Sequence, residues 1–78
     1  MQTTIKEQIQ IAEARLLLYY KAEKAILAGQ SFEAESLKLT RANLKDVQNM
    51  IASLEKKISA LKARLNGQAK FRVVRPGW

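Results

Sequence analysis

Gly29-Gln30-Ser31-Phe32-Glu33-Ala34-Glu35-Ser36-Leu37-Lys38-Leu39-Thr40 is the stretch that decides the fold of this 78-residue chain. Phe32/Ala34 and Leu37/Leu39 alternate apolar with polar at the period of a strand. The pair predicts a small hairpin turning at Glu35-Ser36, although no Asn-Gly or Gly-Xaa supplies the usual turn chemistry. Two strands alone are marginal in water. They need helices beneath them, with Phe32, Leu37 and Leu39 pointing inward. With the hairpin the fold is a small α+β unit of order α-β-β-α. Without it the fallback is an all-α helical hairpin.

Outward from this connection the pattern is helical on both sides. Thr4-Ile5-Lys6-Glu7 fits a capping box, in which hydroxyl and carboxylate each take an orphan N–H. Ile5, Ile9, Ala12, Leu16, Tyr19, Ala22 and Ile26 follow at steps of three and four, and Gly29 has the place of a left-handed C-terminal residue. This predicts a helix over residues 5–28. On the other side Thr40 is an N-cap candidate. Leu44, Val47, Ile51, Leu54, Ile58, Leu61 and Leu65 form a seam that alternates three and four, and Asn66-Gly67 offers a stop. This predicts a helix over 41–66. Matched lengths of about 36–40 Å suggest an antiparallel pair. The alternation of Ile51 and Ile58 with Leu54 and Leu61 also suits a parallel two-stranded coiled coil. Intrachain pairing is favoured, because the partner stripe lies in the same chain. Residues 1–66 are then the body and 67–78 a basic, apolar tail.

The charge is uneven. Residues 1–55 carry seven Lys/Arg and all seven acids, whereas Lys56, Lys57, Lys62, Arg64, Lys70, Arg72 and Arg75 follow with no acid among them. The net +7 is thus a field at one end, aimed at DNA or an acidic surface. Lys56, Lys57, Lys62 and Arg64 are the candidates on the helix, where the macrodipole also favours cations. In the tail, Lys70, Phe71, Arg72, Val73, Val74, Arg75 and Trp78 are candidates for partner binding. The alternation there suits a strand added to a partner's sheet edge, with Trp78 as an aromatic anchor.

So short a chain rarely gains more than ~3–5 kcal/mol from its own core. Cys and His are absent, so disulfides are excluded and the usual ligands of zinc, copper and iron–sulfur sites are missing. Self-association or a partner is the expected support. Leu16-Leu17-Leu18-Tyr19-Tyr20 is more apolar than one face can bury, which makes Leu17, Leu18 and Tyr20 candidates for a subunit contact, or else for packing under the connection. No signal peptide or membrane-spanning run is expected. Without His or Cys, only carboxylates, Lys and Tyr remain for catalysis. Glu33 and Glu35 read as solvated, and three glycines show no phosphate-loop spacing. We expect no enzyme activity, cofactor, metal or small-molecule substrate.

The order of motifs carries a resemblance. Leu18-x-Tyr20-x-Ala22-Glu23 leads to Ala28-Gly29-Gln30-Ser31-Phe32, then Leu39-Thr40-Arg41-Ala42-Asn43-Leu44, a second helix, and a basic tail ending in Pro76-Gly77-Trp78. This resembles the small head-completion, or head–tail joining, proteins of tailed bacteriophages (the gpW-like family) and related small prophage proteins. It covers roughly residues 12–58 and the character of the tail. The resemblance implies an α-β-β-α fold and a structural subunit that docks on the portal, joins the neck or tail, and assembles there as a homo-oligomeric ring. It implies a place at the capsid–tail junction of the virion, and in the host cytoplasm before assembly. In this chain the tail function would fall on residues 70–75 and Trp78. The departures are the missing turn glycine and a longer, more coiled-coil-like second helix. The alternatives are a small basic nucleic-acid-binding module, a coiled-coil scaffold or regulator, and adsorption to anionic membrane through the tail.

Overall fold

A computed structural model describes residues 3–70 of the protein, with side chains through residue 67. The elements run α1 (Ile5–Leu27), β1 (Phe32–Ala34), β2 (Leu37–Leu39), a 3-10 turn (Arg41–Asn43) and α2 (Leu44–Lys70). This is the α-β-β-α order expected from the connection, and the all-α fallback is set aside.

Helix α1 starts as its sequence dictates. The Glu7 N–H donates to Thr4 Oγ1 at 3.1 Å, and the Thr4 N–H donates to Glu7 Oε1 at 2.9 Å. It ends in a Schellman motif. The Gln30 N–H donates to the Ala25 carbonyl at 2.9 Å and the Gly29 N–H to that of Ile26 at 3.0 Å. Gly29 has φ +84°, a conformation that costs a residue without Cβ least.

The hairpin pairs Phe32 with Leu39, Glu33 with Lys38 and Ala34 with Leu37. The apolar residues share the half-buried face and Glu33 and Lys38 share the wet one, where their charges lie 3.6 Å apart. The turn forms at Glu35-Ser36 without glycine. Glu35 takes φ +56°, the one non-glycine positive φ among the described residues. Positive φ at the first central residue alone is the type II′ pattern, which matches strand twist but strains an L residue.

Helix α2 differs from expectation at both ends. Its first turn is tightened to a 3-10 segment, and the cap works in reverse: the Thr40 N–H donates to Asn43 Oδ1 at 2.9 Å, while the Asn43 N–H donates to the Thr40 carbonyl at 2.8 Å. The Asn43 side chain thus reaches back to the Thr40 N–H, as the fourth residue of a capping box does, while the Thr40 carbonyl takes the Asn43 N–H. At the far end the helix does not stop at Asn66-Gly67. It runs through Lys70, so the first residues assigned to the tail, 67–70, are helical. Gly67 is a weak helix former, but one unfavourable residue costs only about 1 kcal/mol and does not end a helix in progress.

The two helices pack antiparallel along the expected seams. Val47, Ile51, Leu54, Ile58 and Leu61 of α2 are buried, as are Ile9, Ala12, Ala22 and Ile26 of α1. Leu44 and Leu65, at the ends of the seam, are half-buried. Among the described residues no polar side chain is buried. The body is one helix thick, with Cα extents of 52 × 33 × 14 Å.

Candidate docking site

Because the body is a single layer, each helix leaves both flanks of its seam open to solvent, and the site question becomes what each broad face carries. On one face Glu13 and Tyr20 of α1 stand seven residues apart, opposite Gln48, Glu55 and Lys62 of α2, also at sevens. The two rows meet in rungs. Lys62 Nζ lies 3.1 Å from Glu13 Oε2, the Tyr20 hydroxyl donates to Glu55, and Gln48 Nε2 donates to Glu23 Oε2 at 3.1 Å. Between the rungs is an open groove of about 560 Å³, floored by Leu16 and Ile58 and rimmed by Glu13, Glu55 and Lys62. The hydrogen bond to Glu55 raises the Tyr20 hydroxyl pKa above its ordinary value, with lesser contributions from desolvation and from the charges of Glu55 and Glu23.

The other face follows from helix geometry. Nine residues are about two and a half turns, so Ile11 lies across α1 from Tyr20, and Lys57 and Arg64 lie across α2 from Gln48 and Glu55. Ile11, Leu18 and Ala25 recur at sevens along this flank of α1, with Ala14 between; Met50, Lys57 and Arg64 recur at sevens along α2. Ile11 is 52% exposed and Met50 39%, while Leu18 and Ala25 are half-buried. One face is therefore an acidic, hydrogen-bonded groove and the other an apolar strip edged with cations.

The structure distributes the sequence candidates over these faces. Leu17, Leu18 and Tyr20 do not pack under the connection, nor do they form one patch. Leu18 belongs to the apolar face, Tyr20 (41% exposed) to the acidic groove, and Leu17 (54% exposed) to the outer edge of α1. Lys56, Lys57, Lys62 and Arg64 also diverge. Lys62 is committed to Glu13, Lys56 points away from the seam, and Lys57 and Arg64 share the apolar face. Of the tail candidates, Lys70 lies in α2, while Phe71, Arg72, Val73, Val74, Arg75 and Trp78 lie outside the described residues. Glu33 sits opposite Lys38 on the wet face of the hairpin. Among the described residues no helix is long and apolar enough to cross a membrane.

Sequence reading passed over Ile11, Ala14, Ala25 and Met50. The sevenfold spacing of Ile11, Leu18 and Ala25 was the available signal in α1, beside the stronger seam, and Ala14 and Met50 stand outside it.

A family model matches residues 1–76, nearly the whole chain. The chain belongs to DUF6148, a family of unknown function. Comparison with curated proteins and with solved structures finds no match. The family thus spans both helices, the hairpin and most of the basic tail as one unit.

Proposed function

We propose that this DUF6148 chain is a structural connector subunit of a phage or prophage, docking on the portal and joining it to the neck or tail. The observation that carries the reading is the α-β-β-α order, with its hairpin turning at Glu35-Ser36, in the arrangement that the resemblance to head-completion proteins requires. A body one helix thick, with two open broad faces, supports it, since such a body gains most of its missing burial from neighbours. The uneven charge supports it too, because the cations follow Glu55 in the second half of α2 and in the sequence after it.

The nucleic-acid-binding alternative draws less support. Lys62 is paired with Glu13, and Lys56 points away from Lys57 and Arg64, so the helix presents no single row of four cations to a phosphate backbone. The experiment is a joining assay. Purified protein is added to DNA-filled heads produced by the same phage or prophage without this gene. Full-length protein restores joining to tails, and protein ending at residue 67 does not. Heads that join equally well with neither protein added, or with the truncated one, overturn the reading or its tail role respectively. A duplex-DNA titration in rising salt covers the alternative: seven engaged cations give a slope of about −6 in log affinity against log salt.

A further inference from the structure

We propose that successive copies of this chain stack front to back, the apolar-cationic face of one copy on the acidic groove of the next. The inference rests on the connector reading and assigns the two surfaces by which its ring would be built.

Each face lacks what the other has. The groove is rimmed by Glu13, Glu55 and Lys62 over an apolar floor of Leu16 and Ile58, and Glu23 stands farther along the same face, bonded to Gln48. The opposite face presents an apolar strip of Ile11, Leu18 and Met50, with Lys57 and Arg64 beside it. The rungs Tyr20–Glu55 and Glu13–Lys62 set which residues are level, and they place Lys57 level with Leu18 and Arg64 level with Ile11. The apolar ridge of one copy can thus enter the groove of its neighbour while its cations reach the carboxylate rim.

The same charges argue against the symmetric alternative. Two copies joined through identical faces would set Lys57 and Arg64 against their own kind, or Glu23 and Glu55, whose partners Gln48 and Tyr20 are neutral, against theirs, and like charges brought together across an interface oppose association. A contact between two different faces is heterologous, and it closes into a ring when the rotation per step allows. It also accounts for the greasy stretch of α1. A single patch has no use for Leu18 and Tyr20 on opposite faces, whereas a front-to-back contact uses both.

The test is a charge exchange read by sedimentation velocity on the full chain, at low salt and rising concentration. Wild-type protein forms species larger than dimers that dissolve as salt is added. Lys57→Glu/Arg64→Glu and Glu23→Lys/Glu55→Lys each associate at least about tenfold more weakly, with helical circular dichroism retained. Mixed in equal amounts, the two variants regain association, because each exchanged face again meets its complement. Wild-type protein that stays monomeric, or that stops at a dimer, overturns the stacking, as does a mixture no better associated than its parts. Joining of heads by both charge variants at wild-type level sinks the stacking and leaves the connector reading standing; failure of wild-type joining does the reverse.

Discussion

The two ends of the helical pair carry equally regular seams and reach different degrees of enclosure. At the hairpin end Ala22, Ile26 and Val47 are essentially sealed, at 0%, 1% and 1% exposure, under Phe32 and Leu39. Toward the end where α1 begins, Ile9 and Leu61 keep 7% and 5% exposure, and Leu65 is only half-covered. The difference teaches that helix periodicity fixes which residues face inward, while a third element decides how completely water is kept from them.

The strongest way to break this contrast is to hollow out each end in turn. Ile26→Ala costs about 3–4 kcal/mol and Ile9→Ala about 2, read as shifts in urea midpoint, because a cavity under a lid collapses less readily than one at an open end. Equal losses at the two sites would remove the distinction. Next in size is the open end's own fastening. Thr4→Ala removes the hydroxyl half of the capping box and lowers stability by about 1 kcal/mol, with faster amide exchange confined to the first turn of α1.

Two substitutions sharpen the contrast in the stabilising direction. Glu35→Gly relieves the left-handed residue of the turn and raises stability by about 0.5–1 kcal/mol, seen as a higher thermal midpoint. Gly67→Ala does the same by a similar or smaller amount at the other end, since a Cβ there meets nothing within 4 Å and the position is helical. The smallest effect belongs to the Tyr20–Glu55 rung. Its folded-state pKa is raised, so the neutral donor's contribution is fully present below the ordinary tyrosine value of about 10 and is lost as pH rises through the folded value. Wild-type protein therefore loses its small margin over Tyr20→Phe only in strongly alkaline solution, as denaturation at a series of pH values will record.

Most of the body was legible in sequence because it rests on local rules. Thr4-Ile5-Lys6-Glu7 is a complete capping box in four residues, Gly29 marks a Schellman end, and the seam from Val47 to Leu61 needs only counting. The hairpin was legible from alternation, although Glu35 supplies its turn against local preference; packing of Phe32 and Leu39 on Ile26 and Val47 offsets that strain. The end of α2 was misjudged because Asn66-Gly67 is a stop signal only where a chain has an alternative to the helix. The site was less legible. Which carboxylate meets which cation depends on how two helices are paired, and Glu13 with Lys62, or Tyr20 with Glu55, are far apart in sequence. Leu18 and Tyr20 look like one greasy patch in a linear reading and are separated by helix geometry.

The antiparallel course of the helices brings residue 3 and Lys70 to the same end and leaves Glu35-Ser36 at the other. A fluorophore attached near residue 3 and one attached near Lys70 therefore crowd the same pole of the molecule. A short insertion between Glu35 and Ser36, where hairpins accept four- and five-residue loops, carries the label at the opposite pole.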